Sequence, residues 1–213
     1  MSSSPQKTHL LIYVIGCPGS GKGTLCKLLT EGHNCKHISL GDLLRRLADE
    51  AGSESLEIAG HVQSGTLVPT TTIINILNCT ISSEMPSEQE DPRHAIIIDG
   101  FPRRLDQGMA AENHLGLPDL VLFFDCDKSV ALSRYLARKI QGRLGDNAEL
   151  FQRRHAEFER LNPAVLEYYR HLGLLIENPY LNMSQINTNG ETKTSYNRLT
   201  TALKWEKKGG SSR

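Results

Sequence analysis

The sequence predicts an open α/β fold, in which a parallel sheet carries helices on both faces. Three observations support this. The runs Leu10 to Ile15 (LLIYVI), Ala95 to Asp99 (AIIID) and Leu120 to Asp125 (LVLFFD) are apolar without alternation and rich in β-branched or aromatic residues, as strands covered on both faces should be. Helical patterns follow the first and third runs, and such alternation is how parallel strands are connected. The first run stops at a glycine cluster that opens into a helix, which is the beginning of a βαβ unit.

Residues 1–9 are polar and are expected to be a disordered tail. The apolar run behind them is far shorter than the ~20 residues that span a bilayer, so neither a signal peptide nor a membrane helix is expected. From Lys22 to Glu31, Leu25, Leu28 and Leu29 recur at helical spacing. Between the first two strong strands lie about 80 residues that read as mostly helical: GDLLRRLADEA, SLEIAGHVQSG and, after Pro69, TTTIINILNCTI. That is too long for one crossover helix and predicts a small helical lobe over about 38–82. Ser82 to His94, with two prolines and four acids, reads as a solvated loop.

After AIIID comes a polar stretch, and after LVLFFD the helix SVALSRYLARK (Ser129 to Lys139). A short loop, IQGRLGDN, leads to the charged helix AELFQRRHAEFERL, which Pro163 interrupts or restarts. HLGLLIEN reads as a last short strand, followed by a polar stretch of undefined structure. An amphipathic helix around Tyr196 to Lys207 carries Trp205 as a packing residue, and residues 209–213 are a frayed end. Residues 10–208 therefore form one domain, without internal repeats.

The chain has 213 residues, 38% of them hydrophobic, enough to bury a full core. With 24 Lys and Arg against 24 Asp and Glu it has no overall basic field for a nucleic-acid backbone or an anionic membrane. Any polyanion must be held by a local site, and a small ligand is expected. The five cysteines include no C-x-x-C pair, so they fit neither a disulfide framework nor a four-thiolate zinc site and point to reduced thiols in the cytosol. His33 and His37 read as ordinary polar residues.

The glycine cluster reads G-C-P-G-S-G-K-G-T from Gly16 to Thr24. Glycines at 16, 19, 21 and 23 allow backbone N–H groups to converge on phosphate oxygens, the following helix adds positive potential, and Lys22 adds a mobile charge. The general pattern G-x-x-x-x-G-K-[ST] fails at Gly23, with the hydroxyl arriving one place later at Thr24. The variant G-x-P-G-x-G-K-G-T is more demanding, and a chance match in a chain of this length is on the order of one in a million.

That variant resembles the phosphate loop of the nucleoside monophosphate kinases, the family of adenylate kinase and UMP-CMP kinase. HISLGDLLR (His37 to Arg45) is similar to the family's acceptor-phosphate segment, SGTLVP (Ser64 to Pro69) to the turn at the acceptor base, and DGFPRRLDQ (Asp99 to Gln107) to the D-G-[FY]-P-R signature with a base-reading position. GRLGDN (Gly142 to Asn147) and Arg154 resemble the lid that closes over the phosphates. The similarity runs from about Leu10 to Ile176.

The resemblance implies a three-layer P-loop NTPase fold with a parallel central sheet, a helical NMP-binding insertion at about 38–82 and a short lid at about 139–147. It implies Mg-dependent transfer of the γ-phosphoryl of ATP to a nucleoside monophosphate, a reaction that relies on positioning and charge neutralisation. Gly19, Ser20, Gly21, Lys22, Gly23, Thr24 and Arg138 would bind ATP. Leu40, Arg45, Thr66, Leu67, Val68, Gly100, Phe101, Arg103, Gln107, Arg143 and Arg154 would bind the acceptor. Lys22, Arg103, Arg138, Arg143 and Arg154 would be catalytic, while Asp99 would hold Mg²⁺ through water. Counting forward from Arg143 selects Arg154 for the last lid arginine, and counting back from Pro163 selects Arg153; Arg154 is preferred. A lid without cysteines resembles the short forms that carry no zinc. The family also implies a monomer in the cytoplasm, with the nucleus as a second compartment, and closure of insertion and lid on ligand.

The acceptor stays open between two readings. Gln107 is typical of adenylate kinases, whereas LFFDC (Leu122 to Cys126) resembles UMP-CMP kinases, including fungal-type members that pair G-D-L-L-R with Asp-Gln after D-G-F-P-R. The UMP/CMP/AMP type is preferred over a dedicated adenylate kinase. Leu40 stands where adenylate kinases carry Thr and UMP-CMP kinases commonly Ala. Two readings from other classes are a nucleotide-binding protein with reduced or lost transfer and a P-loop kinase for a non-nucleotide metabolite. The first is motivated by Gly145, where short lids usually carry an aspartate. Loss of that acid would cost about 1 to 3 kcal/mol of positioning. Gly145→Asp is therefore expected to raise kcat in a coupled assay; an unchanged or lower kcat would remove this role for the position.

Overall fold

The computed structural model describes residues 9–50, 52–84, 94–138, 147–176 and 186–204. The tail, most of the acidic loop, the lid segment 139–146 with Arg143 and Gly145, residues 177–185 and the C-terminal end with Trp205 lie outside the described residues.

Five parallel strands form one sheet in the order β2-β3-β1-β4-β5. They are β1 (Leu10–Gly16), β2 (Cys35–Ser39), β3 (Ala95–Asp99), β4 (Leu120–Asp125) and β5 (Ile186–Asn187). The helices are α1 (Lys22–Gly32), α2 (Leu40–Ala48), α3 (Ser53–Ser64), α4 (Thr70–Glu84), α5 (Leu105–Leu115), α6 (Lys128–Ala137), α7 (Ala148–His171) and α8 (Thr192–Leu203). The unbroken apolar runs are explained by two cores. Leu11, Tyr13, Ile15, Ile96 and Ile98 face one, together with α2 to α5 and α7. Ile12, Val14, Ala95 and Ile97 face the other, against α1 and α8. Both alternating sets of a central strand are thus removed from water, which is the condition for a buried parallel sheet.

Several local expectations are corrected. The stretch read as mostly helical begins with strand β2, paired only to β3. Lys36 and His37 in this edge strand suppress the apolar signal that marks the central ones. The helices between β2 and β3 run from α2 to α4. The polar stretch after AIIID contains α5, and the last strand is not HLGLLIEN. That segment makes a single bridge, Val121 to Leu175, while Ile186–Asn187 form β5 in the stretch read as undefined. Pro163 does not interrupt α7, which runs through it for 24 residues. Phe151 and His155 on one side of Pro163 and Val165 and Tyr169 on the other are buried, and this packing outweighs the hydrogen bond a helical proline forfeits. Helix α8 begins four residues before Tyr196.

The five cysteines are thiols, with Cys79 exposed and Cys17, Cys26, Cys35 and Cys126 buried. Burial pushes the Cys17 thiol up to about 11, with Lys22 opposing the shift. Because the thiolate is the nucleophile, an aromatic disulfide reagent at pH about 8 should titrate one fast thiol per chain and the rest only after unfolding. Cys79→Ser should abolish the fast phase. Rapid reaction of Cys17 in the folded chain would contradict this account of the loop.

Candidate active site

β1 ends at Gly16, and residues 17–21 turn the chain into α1. Two of the four glycines are there for their backbone conformation: Gly19 has φ +88° and Gly21, the N-cap of α1, has φ +89°. A Cβ on Gly19 would stand 2.1 Å from the carbonyl oxygen of Ala131, so the loop is pressed against α6. Gly16 is there for space, since its Cβ would meet Phe124 O at 2.7 Å. No side chain caps α1 and no acid stands in its first turn, which leaves its N–H groups to an incoming anion. The Lys22 ammonium curls back over the loop and donates to Gly16 O at 2.7 Å, Cys17 O at 2.8 Å and Ser20 Oγ at 3.3 Å. Burial lowers its pKa, and Asp99 works in the opposite direction.

Asp99 closes β3 and is 6% exposed. Its Oδ2 lies 3.3 Å from His37 Nε2 and 3.5 Å from the position of a Cβ on Gly23. Beyond it, Arg103 Nε donates to Gly100 O at 3.0 Å, and the Arg103 backbone N–H donates to Gln107 Oε1 at 3.0 Å. Since an N–H can only donate, this bond fixes which end of the Gln107 amide is oxygen. Arg103 is exposed to the open cavity, whose walls desolvate its guanidinium and bring it down to about 10, with Arg154 and Arg45 adding to the fall and Asp99 and Glu157 resisting it.

Helix α2 supplies Leu40, 1% exposed, and Arg45, which is ion-paired with Asp42. A Cβ on Gly41 would come within 3.3 Å of the Arg45 guanidinium and 3.7 Å of that of Arg103, so both planar groups pass close to this glycine. Thr66 Oγ1 is bonded to His61 Nδ1 at 2.9 Å and to Ser64 Oγ at 2.8 Å, which fixes the turn that carries Leu67 and Val68. From the opposite wall, Arg154 of α7 donates to Val62 O at 3.1 Å and to Tyr135 Oη at 3.0 Å. Arg153 pairs with Glu149 instead, and its side chain is 54% exposed. The guanidinium carbon of Arg138 stands 4.7 Å from the centroid of the Tyr135 ring.

These residues line one cavity of about 500 Å³ that runs from the phosphate loop to α2 and α3. Gly19 to Thr24, Asp99 and Arg138 line it together with Leu40, Arg45, Thr66, Leu67, Val68, Gly100, Arg103, Gln107 and Arg154. Phe101 does not. It is fully buried and packs edge-on against Tyr13, with centroids 5.1 Å apart, so its part in the D-G-F-P-R segment is to anchor the turn. Arg143 lies outside the described residues. Among the described residues, seven Lys and Arg side chains line the cavity against three acids, Asp42, Asp99 and Glu157.

The sequence reading missed Arg134, Tyr135, Glu157, Asn162, Thr188 and Ser195, which also line the cavity. Arg134 had a signal, because it precedes Arg138 by four residues and so shares its helix face. It donates to the carbonyls of Thr188 at 2.6 Å, Asn189 at 3.4 Å and Gly190 at 2.7 Å, fastening the β5 to α8 turn to α6. Nothing in the polar pattern around Thr188 pointed to that turn. Among the described residues no group of three or more His, Cys, Asp or Glu is arranged to hold a metal ion, and no helix is long and apolar enough to cross a membrane.

A family model described as adenylate kinase matches residues 14–174. The chain is 36% identical over 168 residues to a uridylate kinase of Saccharomyces cerevisiae, covering 78% of this chain and 80% of that protein. It is 37% identical over 174 residues to a UMP-CMP kinase of Prunus armeniaca, with coverages of 81% and 72%. To adenylate kinase isoenzyme 1 of Gallus gallus it is 31% identical over 176 residues, with coverages of 82% and 88%. A glycine loop pressed onto the sheet, a second cluster of arginines across the same cavity and these likenesses lead to one conclusion: the chain belongs to the adenylate kinase family of nucleoside monophosphate kinases.

Proposed function

We propose that the protein transfers the γ-phosphoryl group of ATP to UMP or CMP, with AMP also accepted, yielding ADP and a nucleoside diphosphate. The observation that carries this reading is the one cavity lined by two groups of cations. Lys22 and the start of α1 line it at the phosphate loop, while Arg45 and Arg103 pass beside Gly41 and Arg154 beside Gly65. Two phosphate-bearing ligands placed end to end would bring the γ-phosphoryl and the acceptor phosphate together between them. Such an arrangement supplies what phosphoryl transfer needs, which is in-line positioning and neutralised charge.

On this reading Lys22 leaves the carbonyls of Gly16 and Cys17 for the β- and γ-phosphates, whose oxygens replace those it now contacts. Arg45 and Arg103 clamp the acceptor phosphate as planar forks. Arg138, Arg143 and Arg154 stabilise charge on the group in transfer. Asp99 fits Mg²⁺ held through water, because it is a single hard-oxygen ligand beside the loop and Mg²⁺ takes one or two carboxylates and keeps several waters. The ion would supply neutralisation of the triphosphate.

Acceptor choice falls to Gln107 and Leu40. With its oxygen committed to Arg103 N–H, the Gln107 amide offers its NH₂ to the cavity, which suits a base edge with a hydrogen-bond acceptor. Uracil, cytosine and adenine all present one. Leu40 adds apolar contact and no polar group beside it. Gln107 in the cavity also favours the second reading, a dedicated adenylate kinase. The thiol state of the five cysteines supports a cytoplasmic setting, and we take the acting unit to be a monomer.

Purified protein should form ADP from Mg-ATP with UMP, CMP or AMP, and none with shikimate. ATP binding without turnover of any acceptor would overturn the reading, turnover of AMP alone would favour the dedicated adenylate kinase, and turnover of shikimate would favour a metabolite kinase. Gly19→Ala should weaken ATP affinity on the order of a hundredfold, measured by calorimetry, because positive φ and the Ala131 carbonyl both oppose a side chain there. Wild-type affinity in that variant would contradict the loop's assigned role.

A further inference from the structure

Tyr135 stands on α6 between two cations of the cavity and is 1% exposed. It offers each a different group. Its hydroxyl oxygen accepts from Nη1 of Arg154 at 3.0 Å, while its ring face lies 4.7 Å from the guanidinium carbon of Arg138. Phe151 packs against the ring with centroids 5.3 Å apart and planes at 60°, which restrains its rotation. Arg138 and Arg154 come from different segments, and their like charges drive them apart. A carboxylate could gather them only by cancelling charge that phosphates must meet. A phenol attracts one cation through its lone pair and the other through its π-face and leaves their net charge intact.

We propose that Tyr135 is a positioning residue that sets Arg138, on the donor side, and Arg154, on the acceptor side, at a fixed spacing across the transfer site. The inference rests on the donor and acceptor assignments of these arginines made above and goes beyond them, because Tyr135 acts through both without being needed as a contact to either nucleotide.

Two variants of the full chain separate its two functions. Tyr135→Phe keeps the ring face and the packing against Phe151 and removes the hydroxyl; Tyr135→Leu removes both contacts. Initial rates are measured with Mg-ATP and the best of UMP, CMP and AMP, and affinities for that acceptor and for a non-hydrolysable ATP analogue by calorimetry. Tyr135→Phe should raise KM and Kd for the acceptor about tenfold, the worth of one hydrogen bond to a charged group, and leave the donor values unchanged. Tyr135→Leu should in addition weaken the donor about threefold, the scale of a cation–π contact, and lower kcat. A merely structural role predicts no such split, since lost packing shifts donor and acceptor together. The proposal is overturned if Tyr135→Phe matches wild type for the acceptor, or if it weakens both ligands equally. Should Tyr135→Leu not fold, the phenylalanine variant alone decides between these outcomes. A wild type that binds both ligands without transferring phosphate would sink the reading of function, while the two affinities would still judge Tyr135.

Discussion

Among the described residues, seven cationic side chains facing one cavity repel one another, and much of the fold serves to hold them there. Two unit charges 4 Å apart at an effective dielectric of 20 repel by about 4 kcal/mol. That repulsion adds to what desolvation does: Arg154 and Arg45 lower the Arg103 guanidinium further, and Arg103 and Arg138 do the same to Lys22. What offsets it is mostly neutral oxygen. Lys22 rests on two carbonyls and a hydroxyl, Arg103 on Gly100 O, Arg134 on three carbonyls, and Arg154 on Val62 O and the Tyr135 hydroxyl. Backbone dipoles orient a cation without neutralising it, so the potential remains available to an anion. A chain with no net charge can in this way present a strongly positive interior to a phosphate ligand.

The sheet supplies the fixed points from which those groups are hung. Because β1 lies between β3 and β4, the phosphate loop emerges where connections leave to opposite sides, the place at which open α/β sheets form a crevice. Register puts Asp99 opposite Val14 and Phe124 opposite Gly16, so the carboxylate and the loop open onto the same end of the sheet. Central strands buried on both faces hold that arrangement still. Helices α2 and α3 form one wall of the cavity and are joined to the far wall through the Arg154 bond to Val62. Tyr135 then contacts Arg154 through its hydroxyl and Arg138 through its ring face.

Features that depend on local chemistry were legible in the sequence. The loop needs glycine where φ is positive, the central strands need continuous apolar side chains, and both requirements leave a residue pattern. Among the described residues, outside which Arg143 lies, the cavity residues inferred from the motifs share one surface except Phe101. It belongs to the motif because it anchors the turn, a role that spacing alone does not distinguish from contact with ligand. What was not legible depends on tertiary context. An edge strand such as β2 needs only one covered side, β5 is two residues long, and α7 runs through Pro163 because buried residues secure it on both sides. Tyr135 reads as an ordinary member of its helix, and the spacing of Arg134 to Arg138 hints at the cavity without disclosing its partners in the distant β5 to α8 turn.

On the function proposed, donor and acceptor phosphates lie along one continuous cationic track. Calorimetric titration with a bisubstrate analogue, two nucleosides joined by five phosphates, tests it most directly. The account predicts one analogue per chain, affinity well above that for ATP or the monophosphate alone, and displacement by either. Two analogues per chain, or binding that only ATP displaces, would contradict it.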